Sequence, residues 1–371
     1  MHRSAAVSFL PSTAVLELSY RCNHACLFCS CPWYAPLDAA ERGFPGAQTF
    51  ERRPELDVEA WKRLIERLCG MGITNIALTG GEPLLKEGVT QLLEHAAGLL
   101  STHVETVDGK LQRRQAPPKL YLLSNGKQLS DAHIALCAKH DIHLSLSLPG
   151  LKTFAEHTGG GDPSYVLEGF RRAHAAGVKT TVGITVTALN FHELYETIAE
   201  ALIAGADSLL LNRFLAGGRG ILHAERLKLG VAQVREMLDI AESILARAKR
   251  RGSVGTELPL CVADPAKYEH LHLGSRCSAA IDFFVVDPSG WLRVCNHSTQ
   301  RLVHVDELEA LKRHPYWQRF TQRAHLPQSC GRCSAIGRCD GGCREAAHIA
   351  GGRVDALDEL MLAEDAPGPL R

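Results

Sequence analysis

The sequence has no net charge: its 371 residues include 41 Lys and Arg side chains and 41 Asp and Glu side chains. Proteins that bind nucleic acid or anionic membranes through charge carry an excess of basic residues, so neither partner is expected. No apolar run approaches the ~20 residues needed to cross a bilayer. Residues 1–10 also lack the long apolar segment of a secretory signal. We therefore expect a cytoplasmic protein without a membrane segment.

Cysteine, by contrast, is abundant, with thirteen residues. Cytoplasmic thiols are kept reduced, so clustered cysteines there indicate metal binding or catalysis rather than disulfides. Two dense groups are present: Cys22, Cys26, Cys29 and Cys31, and then Cys330, Cys333, Cys339 and Cys343. Cys69 and Cys137 instead fall on apolar faces of predicted helices, where a free cysteine packs as a small hydrophobic residue. The dense groups are typical of metal sites.

Short apolar runs alternate with amphipathic stretches over the first 214 residues. The runs predict strands at 15–18, 76–78, 120–123, 143–146, 180–186 and 208–211. The stretches predict helices at 58–69, 88–99, 131–139, 165–176 and 191–204. Such repeats imply an α/β fold with a parallel sheet, closed or partly closed, and helices outside it. In barrels of this type the chemistry lies on the loops that follow the strands.

The pattern changes after residue 215. Residues 216–220 (Ala-Gly-Gly-Arg-Gly) interrupt the repeats, and a long amphipathic helix is predicted at about 231–251. Runs at 281–286 and 291–294, separated by Asp287-Pro-Ser-Gly290, predict a hairpin. We divide the chain into a barrel (1–230), a linker helix (231–260), a small cysteine-rich α+β domain (261–350) and a tail (351–371). The loop at 32–56 is either a lid over the site or an insertion without function.

The first cysteine group follows the first predicted strand and reads Cys22-Asn-His-Ala-Cys26-Leu-Phe-Cys29. Three thiolates can hold three irons of a [4Fe–4S] cluster and leave the fourth iron open to a ligand. The alternative is a zinc site, which needs four ligands and would take Cys31 as the fourth. Thr79-Gly80-Gly81-Glu82-Pro83 follows the second strand and favours a ligand site. Two glycines let the backbone approach a ligand closely, and a carboxylate accepts hydrogen bonds from an ammonium group.

These two motifs resemble those of radical S-adenosylmethionine (SAM) enzymes, in which CxxxCxxC holds the cluster and Gly-Gly-Glu-Pro binds the SAM amino group. The resemblance implies a partial (β/α)6 TIM-like barrel and a [4Fe–4S] cluster on Cys22, Cys26 and Cys29. Its open iron would bind SAM, which is then cleaved to a 5′-deoxyadenosyl radical. The implied SAM contacts are Phe28, Gly80, Gly81, Glu82, Pro83, Ser124, Asn125, Ser147 and Asn190. Ser and Asn are also ordinary turn residues, so for the last four a purely structural role stays open.

The cysteines after residue 260 are similar in order to those of the SPASM domain, an extension of radical SAM enzymes that binds auxiliary iron–sulfur clusters. The resemblance implies one cluster on Cys277, Cys295 and Cys343, with Cys261 as its fourth ligand, and a second on Cys330, Cys333 and Cys339. Unlike in most SPASM domains, no cysteine follows Cys343. The second cluster would then have an open iron or an oxygen ligand from Asp355, Asp358 or Glu359. A single auxiliary cluster, or zinc at these cysteines, is the alternative.

Radical SAM enzymes with this extension mostly modify peptides through crosslinks, epimerisation or oxidation. The leading hypothesis is therefore maturation of a ribosomally made peptide, with flavodoxin or ferredoxin as electron donor. About fourteen residues precede the first strand, so a separate protein, if any, is expected to deliver the peptide. Asn296 replaces the aspartate base of the sulfatase-activating branch, which argues against formylglycine formation. The alternatives are a dehydrogenase or mutase for a sugar or amino acid, and a non-catalytic metal-binding scaffold; no catalytic acid or base is assigned.

Overall fold

The computed structural model describes residues 9–107 and 110–362, so residues 363–371 of the tail lie outside it. Its strands are β1 (Thr13–Glu17), β2 (Asn75–Thr79), β3 (Ser101–Val107), β4 (Lys110–Ala116), β5 (Lys119–Ser124), β6 (His143–Ser147), β7 (Thr180–Val186), β8 (Ser208–Arg213), β9 (Arg251–Val254), β10 (Leu271–Leu273), β11 (Phe283–Val286) and β12 (Leu292–Arg293). Its α-helices are α1 (Val58–Gly70), α2 (Val89–Ala97), α3 (Asp131–Lys139), α4 (Phe154–Thr158), α5 (Ser164–Ala175), α6 (Leu194–Ile203), α7 (Ala224–Leu227), α8 (Val231–Ala248), α9 (Pro315–Thr321) and α10 (Arg344–Gly351).

The centre of the fold is one ten-stranded sheet in the order β10-β9-β8-β7-β6-β5-β2-β1-β11-β12. Every neighbouring pair is parallel except β11 and β12, which are antiparallel. The six predicted strands of the barrel are β1, β2, β5, β6, β7 and β8, and they are adjacent in the predicted βα order. Within the described residues the edge strands β10 and β12 do not pair with each other, so the barrel is partial. The predicted fold class is confirmed.

Local sequence explains why these elements form. In α1, Trp61, Leu64, Ile65 and Leu68 recur at helical spacing and are buried against the sheet. The helix begins after Asp57, whose carboxylate accepts a hydrogen bond from the Ala60 N–H at 2.7 Å. Among the described residues, no helix is long and apolar enough to cross a membrane.

The predicted helix at 231–251 is shorter in the structure, because α8 ends at Ala248 and Arg251 already belongs to β9. Lys249 adopts a left-handed conformation with φ of 53°, which ends the helix. Gly252 then passes close to β8 and α8: a β-carbon there would lie 2.9 Å from Leu245 Cδ1 and 3.1 Å from the Leu209 oxygen. The sequence pattern did not predict β9, because this strand is short and contains a glycine. It did not predict the next strand, β10, either.

Two further strands, β3 and β4, form a separate antiparallel hairpin between α2 and β5 that the sequence did not predict. Residues 110–115 of β4 are exposed and mostly polar or charged, so they lack the alternation of a half-buried strand. The predicted hairpin at 281–294 is present as β11 and β12. It joins the main sheet, since Thr13 of β1 pairs with Phe283 of β11. The predicted domain boundaries stay predictions, and the sheet crosses two of them.

A buried ion pair holds this far edge of the sheet together. The Arg293 guanidinium in β12 donates to the Glu17 carboxylate at the end of β1. The side chain of Arg293 is fully buried and that of Glu17 is 4% exposed. Arg293 also donates to the carbonyl oxygens of Asn296 at 3.0 Å and Ser298 at 2.7 Å. The pair therefore fixes β12, and the loop after it, against the first strand of the barrel.

Replacing Glu17 by Ala would leave the Arg293 guanidinium buried without its partner. Breaking a buried ion pair in this way costs about 3–5 kcal/mol. We expect the free energy of unfolding of Glu17→Ala, measured by urea titration under anaerobic conditions, to fall by about that amount. Asp38→Ala breaks the exposed Asp38–Arg42 pair and serves as the matched control with little effect. Equal changes in the two variants would contradict the role assigned to the buried pair.

Candidate active site

The carboxyl ends of the parallel strands open onto one cavity of about 1400 Å³, part of it open to solvent. Residues from many parts of the chain line it. They include Cys22, Cys26, Phe28, Cys29 and Cys31 after β1, Gly80, Gly81 and Glu82 after β2, Ser124 and Asn125 at the end of β5, Ser147 of β6, Thr185 of β7, Asn212 and Arg213 of β8, Thr256 after β9, and Asn296 and His297 after β12. The topology of the sheet thus brings together both predicted motifs and the start of the cysteine-rich region.

The CxxxCxxC loop is held from two sides by backbone hydrogen bonds. The N–H groups of Ala25 and Leu27 donate to carbonyl oxygens at the end of α4, at 2.8 and 2.9 Å. On the other side, the Gly220 N–H donates to the Cys29 oxygen at 3.1 Å. The Arg219 guanidinium donates to the Cys26 oxygen at 3.3 Å. The loop therefore has a fixed path, and its three cysteines face the cavity.

The sulfur environment fits a cluster site. The His24 N–H lies 3.5 Å from Cys22 Sγ and the Asn125 side-chain amide 3.8 Å from it, so both donate to that sulfur. Burial raises the pKa of Cys22 and Cys26, while a hydrogen bond with Cys31 lowers the pKa of Cys29 to about 7. Thiols of raised pKa stay protonated at neutral pH until a metal displaces the proton.

The geometry also bears on the zinc alternative. In the described part of the chain, no three His, Cys, Asp or Glu side chains converge closely enough to hold one metal ion. A [4Fe–4S] cluster does not need such convergence, because each thiolate binds a different iron. The donor set at Cys22, Cys26 and Cys29 therefore fits an iron–sulfur cluster better than a single zinc ion.

The Gly-Gly-Glu segment is joined to the chain just before Cys22. The N–H groups of Gly81 and Glu82 donate to the carbonyl oxygens of Ser19 and Arg21, both at 2.8 Å. A β-carbon on Gly81 would lie 2.2 Å from the Arg21 oxygen, and Gly80 has φ of 135°. Only glycine allows this approach, so the two motifs are locked to each other by backbone contacts.

Glu82 connects these two motifs, which follow β1 and β2, to the end of a third strand, β5. Its carboxylate accepts hydrogen bonds from the Ser124 hydroxyl at 2.8 Å, the Asn125 N–H at 2.8 Å and the Leu84 N–H at 3.0 Å. A carboxylate has about four acceptor positions, so roughly one is left for a cation in the cavity. Glu82 is only 1% exposed, and burial raises its pKa. Its first role is thus to fix the loops after β2 and β5.

The structure brings most of the predicted SAM contacts to the cavity wall: Phe28, Gly80, Gly81, Glu82, Ser124, Asn125 and Ser147. Pro83 is not on the wall; it is buried at the first position of a short 3-10 turn.

Asn190 is not among the residues that line the cavity, and its contact with SAM stays a prediction. Its side-chain amide donates to the carbonyl oxygens of Pro149 at 2.7 Å and Thr185 at 2.9 Å, and its oxygen accepts from the Thr187 N–H at 2.8 Å. These bonds tie the loop after β7 to the loop after β6. The polar groups of Asn190 are used within the protein, as expected of a turn residue.

The cavity is also lined by residues that the sequence analysis did not assign, namely Asn212, Arg213, Thr256, Asn296 and His297. Thr256 is notable because it is 4% exposed and its hydroxyl has no hydrogen-bond partner among the described residues. Thr256 follows β9, and the sequence analysis did not assign this residue because it did not predict that strand. The order of the elements could have revealed this strand, because Arg251-Gly-Ser-Val254 follows a helix, as each earlier strand of the βα repeats does. The residues after such a strand lie at the carboxyl end of the sheet, where the cavity is.

The cysteines after residue 260 form two sets. Cys277, Cys295 and Cys343 are buried at 3%, 6% and 5% exposure. Burial raises the pKa of Cys295, and the charges of Glu345, Cys343 and Cys277 act in the same direction. The other set lines a second cavity of about 340 Å³ and contains Cys261, Cys330, Cys333 and Cys339. The structure therefore places Cys261 with the second set, whereas the sequence analysis placed it with the first.

The three carboxylates considered as oxygen ligands are not on the wall of this second cavity. Asp358 is fully buried, pairs with Arg213 at 2.5 Å and accepts from the Cys343 N–H at 2.9 Å. Glu359 pairs with Arg213 at 3.1 Å, and Asp355 pairs with Arg353 at 2.8 Å. Each is therefore engaged with an arginine, and an oxygen ligand from one of them stays a prediction.

Comparison with known proteins gives a consistent picture. The model of a family described as the radical SAM superfamily matches residues 16–201. PqqA peptide cyclase of Rhodopseudomonas palustris is 26% identical over 371 aligned positions, covering 96% of this chain and 88% of the relative. That of Xanthomonas campestris pv. campestris is 26% identical over 375 positions, covering 97% and 89%.

Solved structures agree on the fold. Streptococcus suis SuiB bound to S-adenosylmethionine superposes with a TM-score of 0.67 at 16% identity, covering 94% of this chain and 76% of SuiB. Native anSMEcpe with bound AdoMet gives a TM-score of 0.65 at 15% identity, covering 97% of this chain and 93% of that one. At such identities the likeness shows the fold alone, including its extension beyond the barrel.

Gly81→Ala would push the segment before Cys22 away from the Gly-Gly-Glu loop. Overpacking costs about 1–3 kcal/mol, so we expect SAM affinity to fall by about tenfold or more. Equilibrium dialysis with iron-loaded protein under anaerobic conditions measures this. Gly70→Ala, at a helix end with open space around the new methyl group, is the control and should bind SAM normally. Unchanged SAM affinity in Gly81→Ala would show that the close approach does not shape the site.

Proposed function

Because the chain belongs to the radical SAM superfamily, we propose that it uses SAM to modify a ribosomally made peptide. A [4Fe–4S] cluster and SAM are the cofactors of this superfamily. The observation that carries the peptide proposal is the match to PqqA peptide cyclases over 88–89% of their length, which includes the cysteine-rich region. SuiB bound to precursor peptide SuiA and anSMEcpe bound to AdoMet and Kp18Cys peptide share the fold and support the proposal.

Cys22, Cys26 and Cys29 would hold the cluster at the floor of the cavity. When bound, the cluster supplies the electron that cleaves SAM to a 5′-deoxyadenosyl radical, which abstracts hydrogen from the substrate. Around it, the protein binds and orients. The backbone of Gly80 and the remaining acceptor position of Glu82 would receive the SAM ammonium group.

Phe28 provides an apolar surface for the adenine of SAM. Its ring lies 5.8 Å from the ring of His157, which in turn contacts the Thr187 hydroxyl at 2.9 Å. Burial lowers the pKa of His157, so this imidazole is neutral at pH 7. A neutral imidazole packed behind Phe28 suits the adenine ring better than a charged imidazole would, because stacking buries apolar surface.

The part of the cavity wall that carries Thr256 would receive the peptide. A peptide presents amide N–H and carbonyl groups, and the unpartnered hydroxyl of Thr256 is able to bond with either. Asn212 and Asn296 offer further amide groups on the same wall. Arg213 is less available, since it is held by Asp358 and Glu359. The peptide would thus lie between the SAM wall and the cysteine-rich region.

The cysteine-rich region would bind two auxiliary iron–sulfur clusters of SPASM type, one on each cysteine set. A cluster near the substrate is able to accept the electron that a product radical must release to become a closed-shell product. The N-terminal cluster needs electrons in return, so we propose a flavodoxin or ferredoxin as donor. A separate leader-binding protein for the peptide belongs to the same proposal.

SAM cleavage provides the central test. We expect iron-loaded protein with a strong reductant to form 5′-deoxyadenosine, and a peptide substrate to accelerate this several-fold. Candidate peptides are screened by liquid chromatography and mass spectrometry of both products. Cys26→Ala should abolish cleavage because the cluster loses a ligand, while Cys137→Ala, a core cysteine, should retain it. Acceleration by sugars or amino acids but not by peptides would overturn the peptide proposal, and no cleavage at all would indicate a scaffold.

Thr256→Val removes the cavity hydroxyl and keeps the shape of the side chain. The loss of one hydrogen bond costs about 1 kcal/mol, so we expect the KM for the peptide to rise about fivefold. Cleavage of SAM without peptide should be unchanged, and Thr256→Ser should restore the KM. An equal loss of peptide-independent cleavage would mean that Thr256 supports the fold rather than the substrate.

A further inference from the structure

The second cavity brings four cysteines together from three separate parts of the chain. Cys261 follows β9, Cys330 and Cys333 lie around a 3-10 turn, and Cys339 comes shortly before α10. The rest of the wall is mostly apolar and consists of Pro259, Leu260, Leu326, Ala335, Ile336, Gly341 and Met361. A mostly apolar pocket lined by four thiols, three of them partly exposed, fits a cysteine-bound cluster.

Backbone N–H groups point at the sulfurs of this set. Cys339 Sγ accepts from the Gly341 N–H at 3.3 Å and from the Leu260 N–H at 3.5 Å. Cys333 Sγ accepts from the Ala335 N–H at 3.5 Å. Hydrogen bonds to sulfur stabilise thiolates and tune the potential of iron–sulfur clusters. The bond from Leu260 matters most, because it attaches the residue next to Cys261 to a cysteine 79 positions later in the chain.

Helix α8 fixes the position of Cys261. The Arg235 guanidinium donates to the carbonyl oxygens of Val262 at 2.8 Å and Cys261 at 3.4 Å. The Val262 N–H closes a turn onto the Pro259 oxygen at 2.8 Å. This short turn carries Cys261 away from β9 and toward the loop of Cys339. The position is therefore set by the fold rather than by a flexible loop.

The other set has only three cysteines. All thirteen cysteines lie in the described part of the chain, and none besides Cys277, Cys295 and Cys343 belongs to this set. It lies next to the candidate active site. Asn296 and His297, which directly follow Cys295, line the main cavity, and Arg213 of that cavity binds the Asp358 carboxylate that accepts the Cys343 N–H.

We propose that Cys261 is the fourth thiolate of the Cys330–Cys333–Cys339 set, and so replaces the cysteine that is missing after Cys343. The outer auxiliary cluster then has all four irons bound by protein and serves only to transfer electrons. The inner set, on the active-site side, is the one left with three thiolates. The inference rests on the proposed function in one respect: the cysteine-rich region must bind clusters.

Pairs of substitutions reveal which cysteines share a cluster. Cys261→Ala and Cys333→Ala remove ligands of one proposed cluster, whereas Cys277→Ala removes a ligand of the other. Iron and sulfide per chain, and the electron paramagnetic resonance spectrum of the reduced protein, are measured for the single and double variants. Cys137→Ala is the matched control. The spectral change that SAM causes at the N-terminal cluster reports in every variant that the barrel is folded.

We expect Cys261→Ala to lose iron or change the spectrum on its own. Added to Cys333→Ala it should change nothing further, because that cluster is already damaged. Added to Cys277→Ala its loss should be additive and approach eight irons in total, since each cluster holds about four. The reverse pattern, with no further change beside Cys277→Ala, would return Cys261 to the inner set and overturn the proposal.

A Cys261→Ala variant with unchanged iron and spectrum would also overturn it. So would a parent protein with about four irons, because no auxiliary cluster would then exist. A parent protein with about four irons would also remove the auxiliary clusters from the proposed function. The modification of a peptide is judged separately, by peptide-dependent cleavage of SAM. Conversely, failure of every peptide to accelerate cleavage leaves the pattern of iron loss intact as a test of the cysteine sets.

Discussion

The candidate active site depends on one contact, in which the Gly80–Gly81–Glu82 loop lies directly against the backbone that leads into Cys22. Two N–H groups of the loop bond to Ser19 and Arg21, and no side chain fits between the two segments. The Glu82 carboxylate then reaches Ser124 and Asn125. Three strand ends are thereby held at fixed distances by short, mostly buried bonds. A cluster and its ligand need this fixed geometry, because their binding groups come from separate loops.

The arrangement of charge in the molecule follows the same logic. The buried pair Glu17–Arg293 connects a strand of the barrel with the cysteine-rich region, and the buried pair Arg213–Asp358 connects another strand of the barrel with the tail. Buried ion pairs contribute little net stability compared with apolar contacts, but they are specific in position, since a misplaced partner leaves a charge unpaired. In this protein the two pairs fix the barrel strands relative to the later segments of the chain that carry Arg293 and Asp358. The zero net charge of the sequence does not reveal these ion pairs, because their charges are buried and cancel each other.

Much of the fold was readable from the sequence. Regular βα alternation identified the six central strands, and the motif glycines indicated close backbone contacts that the structure contains. What escaped prediction had local causes. Arg251–Val254 is too short and too polar for a periodic signal, and the β3–β4 hairpin is largely exposed. The sequence could not tell whether Asn190 would line the cavity, because turns and binding loops share a composition. Cys261 was grouped with Cys277 by the resemblance to SPASM domains, whereas a single turn after β9 decides its neighbours in space.

The position of β11 in the sheet has a consequence for biosynthesis. Strand β1, at the beginning of the chain, has β2 on one side and β11 on the other, so residue 13 pairs with residue 283. Until that late segment has left the ribosome, one edge of the first strand is exposed. Contacts between such distant residues slow folding, and open strand edges invite aggregation. The cysteines that follow β1 are translated long before their surroundings are complete. We therefore expect a higher yield of intact protein when iron and sulfide are supplied late in synthesis. Chaperones that cover the open edge of β1 should have the same effect.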